Sequence, residues 1–175
     1  MPSRWIQPAG VGLFIVVLAS GLLLHRRVSP GSHAIEREVW DAIQPEAERA
    51  HLDAGFVYSL VAAESNFDPY AARANARGLM QLTPEAWASV SRIPYPGAVW
   101  DWQISLGVGI NRLADLRRKL TASGAFSYPM LLVAYQHGLE FVAARKFDPR
   151  KMPRPDGPIA RRLFAGELHP VPPPR

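Results

Sequence analysis

The sequence predicts an all-α domain carried behind a single membrane-spanning helix. Three observations lead there. Apolar residues recur at intervals of three and four through most of the chain after residue 33, the periodicity of a helix with one buried face. No run between turns alternates apolar and polar residues as a half-buried strand does. From Pro8 to Leu24 the chain reads PAGVGLFIVVLASGLLL, without a charge, and with Trp5 and Ile6 it reaches the roughly 20 residues that a bilayer-crossing helix needs. Hydrophobic content of 48% against 20% charge is that of a folded protein even after that segment is discounted. The chain has no cysteine, which excludes disulfides, thiol nucleophiles and cysteine-ligated metals.

The N-terminal segment has no polar face and is bounded by Arg4 and by His25-Arg26-Arg27, so it reads as an anchor. A cleaved signal peptide is the competing expectation, because small and medium residues at Val17-Leu18-Ala19 offer a cleavage site. The apolar run continues past them through Gly21-Leu22-Leu23-Leu24. The arginines on its C-terminal flank, taken alone, place the domain inside the cell under the positive-inside rule. Val28-Ser29-Pro30-Gly31-Ser32 then forms a linker, closing an N-terminal unit of residues 1–32.

The helical domain is expected over residues 33–149. Ile35, Val39, Trp40 and Ile43 mark a first helix, which Pro45 is expected to kink or end. Phe56, Val57, Leu60 and Val61 mark a second, starting near Glu46 or Gly55 and stopping at Asn66-Phe67-Asp68-Pro69. Thr83-Pro84-Glu85 has a capping hydroxyl, a proline in the first turn and an acid at the positive end of the dipole, the signature of a helix start. Leu106, Ile110, Leu113, Leu116 and Leu120 draw the stripe of a long amphipathic helix. Ser127 and Pro129 open another that runs to Gly138, and Phe141 and Val142 predict a further piece. Residues 150–175 change composition, with Pro153, Pro155 and Pro172-Pro173-Pro174 among basic residues, and are expected to form a basic, proline-rich tail holding at most a short helix from Ile159 to Leu168.

Within this framework Glu64 is oddly placed. It falls four residues after Leu60 and eight after Phe56, so its carboxylate shares their face of the helix. Burial and the negative end of the helix dipole both disfavour the charged form and raise its pKa. A carboxyl held protonated can donate to a leaving glycosidic oxygen and then serve as a base. The bland alternative is a glutamate turned to solvent at a frayed helix end.

The surrounding sequence decides between the two. Glu64-Ser65-Asn66-Phe67-Asp68-Pro69, then Gly78-Leu79-Met80-Gln81-Leu82-Thr83-Pro84, then Ala134-Tyr135-Gln136-His137-Gly138 resemble, in order and spacing, the three motif blocks of the soluble-lytic-transglycosylase family, over about residues 36 to 147. The resemblance implies a goose-lysozyme-like α-helical domain with a saccharide groove, acting on the glycan strands of peptidoglycan. It implies that Glu64 is the sole catalytic acid/base and that the groove is lined around Gly78, Leu79, Met80 and Gln81. Gln81 would bond a sugar, Met80 pack near the scissile linkage, and Tyr135 orient the N-acetyl group or Glu64, with Ser65 and Gln136 as further contacts. No cofactor or metal is implied.

Three positions depart from the family pattern. Gln136 stands where the family has asparagine, which displaces an amide by one methylene. The stretch Ala72 to Arg77 is shorter than usual and lacks a serine, with Asn75 expected in the left-handed turn. Gln103 replaces a further asparagine, beside Trp100 and Trp102, whose expected role is core packing rather than sugar stacking.

The expectation is a membrane-anchored lytic transglycosylase that cleaves between N-acetylmuramic acid and N-acetylglucosamine and leaves 1,6-anhydro ends. It would lie in the inner membrane with its domain in the periplasm, for general remodelling or for passage of a large envelope assembly. A goose-type hydrolase and a catalytically weakened glycan-binding protein are the alternatives. The net charge of +5 and pI near 10.0 suit an anionic polymer, and no nucleic-acid motif accompanies them.

Overall fold

A computed structural model describes residues 32–174. The order of elements is α1 (Ser32–Arg49), α2 (Ala54–Ser65), β1 (Ala72–Arg73), β2 (Ala76–Arg77), α3 (Pro84–Ala88), α4 (Tyr95–Ala98), α5 (Trp102–Ala122), α6 (Tyr128–His137), α7 (Leu139–Ala144), a 3-10 turn (Pro149–Lys151) and α8 (Pro158–Phe164). Among the described residues no helix is long and apolar enough to cross a membrane, and the apolar segment from Pro8 to Leu24 lies outside them.

α2 is the centre of the molecule. It packs between α1 and α8, and every residue from Gly55 to Ala62 is buried. The expected apolar stripe is therefore a helix apolar on all sides, which needs partners all round. Asp53 starts it by accepting a hydrogen bond from the Phe56 N–H at 2.7 Å. Asn66 ends it in the left-handed conformation, φ 53° and ψ 41°, a backbone that asparagine tolerates. The five leucine and isoleucine positions foreseen on α5 are all buried, and α5 packs on α1 and α6. Thr83 and Ser127 cap α3 and α6 through the N–H groups of Ala86 and Met130.

Three expectations are corrected. α1 does not end at Pro45 but continues to Arg49. Proline removes one backbone donor, but the Asp41 carbonyl it would have served belongs to an exposed residue, so leaving it to solvent costs little. A small hairpin, absent from the sequence reading, pairs Ala72 with Arg77 and Arg73 with Ala76. Its two-residue strands are too short to show any alternation, and Ala74, not Asn75, takes the left-handed turn at φ 48°.

The third correction concerns the C-terminal residues, which form no free tail. α8 packs on α2 and α6, with Leu163 fully buried, a contribution of about 2 kcal/mol by transfer arguments. The Ser59 hydroxyl accepts from the Val171 N–H at 3.2 Å, and His169 Nε2 meets Asp53 Oδ1 at 2.7 Å. The His169 ring also covers Gly55 so closely that a β-carbon there would overlap it. Prolines end helices, yet they do not prevent an extended chain from docking on a buried helix that still has a face to cover.

Candidate active site

A groove of about 760 Å³ opens where α2 ends. Its lining is drawn from α2, the hairpin, the loop after it, α3, α5, α6 and the segment that follows the 3-10 turn. Glu64 lies at the last turn of α2 and faces this groove. Burial is the largest influence on its carboxyl and pushes its pKa up; the Gln136 amide and the Arg73 guanidinium oppose that less strongly. Gln136 Nε2 donates to Glu64 Oε1 at 2.9 Å. The extra methylene relative to asparagine therefore does not prevent contact, since the longer side chain starts from an exposed position on α6 and reaches across.

Tyr135, one residue earlier on α6, also lines the groove, but its hydroxyl is engaged: it donates to the Met80 carbonyl at 2.7 Å. Burial, reinforced by the neighbouring Glu64 carboxylate, raises its pKa well above the ordinary phenol, so it stays a neutral donor. Its role in the geometry is to tie α6 to the loop that carries Gly78 to Gln81.

That loop divides into parts that face the groove and parts that do not. Gln81 lines it, with φ 47° and both amide hydrogens donated to the carbonyls of Ala71 at 2.9 Å and Gly78 at 2.8 Å. Only its buried Oε1 is without a protein partner. Gly78, Leu79 and Met80 are buried beneath the surface. Met80 packs against Gly109, where a β-carbon would approach Met80 Cγ to 2.6 Å. Gly78 adopts φ +76°, and any side chain there would overlap the Val99 carbonyl. Ser65 turns back into its own helix, donating to the Val61 carbonyl at 3.2 Å. The structure thus brings Glu64, Gln81, Tyr135 and Gln136 together on the groove and places Ser65, Gly78, Leu79 and Met80 in its supporting core.

Trp100, Trp102 and Gln103 are not part of the lining. Trp100 instead stacks with Tyr70 at 6.4 Å, and Asp68 caps a turn by accepting from the Tyr70 N–H at 2.9 Å.

Several groove residues gave no signal in the sequence. Arg73 and Arg112 reach it from β1 and α5, Glu85 from α3, and Arg154 and Asp156 from the C-terminal segment. Arg112 could have been suspected as a cation at the margin of the α5 stripe. The last two stood in what read as a tail. Glu85 is held in its charged form by hydrogen bonds to its own backbone N–H and the Thr83 hydroxyl, which lower its pKa. Among the described residues no cluster of histidine, aspartate and glutamate could hold a metal ion.

Comparison with known families bears on this geometry. The model of the transglycosylase SLT domain matches residues 41–152. The chain belongs to the SLT family. No curated protein and no solved structure gives a match. The SLT match contains all three motif blocks and every element from α2 to the 3-10 turn, and it supports peptidoglycan glycan strands as the substrate class and lytic cleavage as the general chemistry. Residues 153–174, including α8, lie beyond the SLT match although they pack on its central helix.

Proposed function

We propose that the protein is a membrane-anchored lytic transglycosylase in which Glu64 is the single general acid/base. One observation carries the reading: a carboxyl pushed towards its protonated form by burial faces the groove, steadied by one amide donor from Gln136. In the first step Glu64 donates its proton to the glycosidic oxygen as the bond from the muramic acid anomeric carbon to that oxygen breaks. The N-acetyl oxygen of the same sugar supplies electrons to the anomeric carbon. In the second step the Glu64 carboxylate removes the proton from the sugar's own 6-hydroxyl, and that oxygen closes the 1,6-anhydro ring while the N-acetyl group departs. Glu64 ends protonated, as it began, and no water is consumed.

A hydrolytic outcome is the second reading, favoured by two further carboxylates, Glu85 and Asp156, on the same groove. Either could activate a water, as the two-carboxylate template requires. Mass spectrometry of digested peptidoglycan separates the two: the transglycosylase leaves muropeptides one water lighter than the hydrolase does. Fully hydrated ends would overturn the main reading. Failure of the wild type to clear purified cell wall would leave a glycan-binding protein as the function.

The anchor and its orientation belong to the same proposal. An uncharged N-terminal run followed by a domain whose substrate class lies outside the cytoplasm calls for an inner-membrane protein with a periplasmic domain. Cleavage of the run as a signal would release the same domain into the same compartment. A reporter fused after Arg175 and active only in the periplasm tests the orientation; cytoplasmic activity would refute it.

A further inference from the structure

The groove is not completed by the SLT domain alone. Residues 153–156 lie past the family match, yet Pro153, Arg154, Pro155 and Asp156 form part of its lining. They are held there from both sides. Met152 is buried on one flank; on the other, Ala160 and Leu163 are buried, and the chain beyond them is fastened to α2 through Ser59 and Asp53. Pro155 itself is buried, so the exposed Arg154 projects from a fixed backbone.

The charges in the groove give that side chain a use. Arg154 joins Arg73 and Arg112, three guanidinium groups, against Glu85 and Asp156 once Glu64 holds its proton. Arg112 is already engaged with Ser89 at 3.2 Å and Asp115 at 3.8 Å. Arg154 forms no ion pair among the described residues, and Arg73 acts only at a distance on Glu64. An exposed guanidinium on a fixed wall, with no protein carboxylate to hold, matches a carboxylate brought by the ligand, because its planar fork donates to both oxygens. Peptidoglycan strands carry such groups on their peptide stems, and on the lactyl ether of muramic acid wherever the stem has been removed, whereas β-1,4-linked chitin strands carry none.

We infer that the C-terminal segment is a recognition wall in which Arg154 binds a carboxylate of the muramic acid substituent, making the groove selective for anionic over neutral strands. The inference rests on the glycan-cleaving function proposed above and names the part of the substrate that the C-terminal segment would recognise.

The test is equilibrium binding to full-length protein in a Glu64→Gln background, with and without Arg154→Gln. Three probes are used: strands with intact stems, strands stripped by an amidase to leave only the lactyl carboxylate, and the neutral chitohexaose. Arg154→Gln is expected to weaken binding of intact strands roughly fivefold at low salt, the value of one exposed charge pair, and the loss should shrink as salt rises. Chitohexaose should bind both proteins equally, and Arg154→Lys should restore part of the difference. Loss on intact strands alone assigns the contact to a stem carboxylate; loss on stripped strands alone assigns it to the lactyl carboxylate, and loss on both means that the wall takes whichever carboxylate the muramic acid substituent presents. Equal affinities for all three probes, or a loss that includes chitohexaose, would overturn the proposal. Cell-wall clearance by wild type and by Glu64→Gln, measured on the same preparations, reports separately on the cleavage chemistry. Equal clearance would remove Glu64 from the mechanism without touching the binding contrast.

Discussion

The two sides of the groove differ in what their polar groups are doing. On the inner side, formed by the end of α2, α6 and the loop from Gly78 to Gln81, nearly every donor is engaged with protein: Tyr135 with Met80, Gln81 with Ala71 and Gly78, Gln136 with Glu64. On the outer side, formed by the hairpin and the C-terminal segment, Arg73 and Arg154 are exposed and make no hydrogen bond to a carboxylate. The difference teaches that the motif residues are chiefly a support that holds one acid in a poor environment for charge. The exposed guanidinium groups on the groove, Arg73 and Arg154, belong to residues that no motif contains.

The sharpest way to break that comparison is Glu64→Gln. Removing the acid should lower the cleavage rate about a thousandfold, within the range for general acid/base groups, as read by release of soluble muropeptides. The same variant should melt at a higher temperature than wild type near neutral pH. A carboxyl whose folded pKa is raised contributes a destabilisation that is absent below the ordinary carboxylate range and grows as pH rises through the folded value. The difference in melting temperature should therefore vanish in acid; a constant difference would mean that burial is not the cause.

Next in size is Gly78→Ala, on the supporting side. The left-handed backbone and the overlap with the Val99 carbonyl should cost on the order of 2 to 3 kcal/mol, seen in urea denaturation, with activity falling in proportion to the folded fraction. Tyr135→Phe should cost less, about 1 to 2 kcal/mol, by leaving the Met80 carbonyl without its partner. If Tyr135→Phe instead lowered kcat with no change in stability, the hydroxyl would belong to the chemistry rather than to the support.

The smallest effect is expected on the outer side. Arg73 lowers the Glu64 pKa from a distance, so Arg73→Gln should move the alkaline limb of the pH–activity profile to higher pH, where the acid now keeps its proton. The shift should be modest and fade in high salt, because Arg73 is exposed. A shift to lower pH would mean that Arg73 does not favour the Glu64 carboxylate.

Much of the fold was legible residue by residue. Thr83, Ser127 and the leucine stripe of α5 announce their helices through interactions spanning a few positions, and the structure uses them as read. The oddity of Glu64 was legible for the same reason, since four residues separate it from Leu60 on any helix. Met80 and Ser65 were harder: a motif marks them, but whether a side chain faces a groove or the core beneath it depends on what packs opposite, here Gly109 for Met80 and the Val61 carbonyl for Ser65.

The C-terminal residues mark the boundary most clearly. Helix positions, caps and the lone acid on an apolar helix come from local sequence, because backbone geometry sets the neighbours of each residue within a turn or two. The docking of residues 150–174 could be decided only in three dimensions. Its fastenings join Asp53 to His169 and Ser59 to Val171, 116 and 112 positions apart. Proline-rich composition speaks only of the chain's own conformation, while the face of α2 that needed covering exists only once the helices around it have packed.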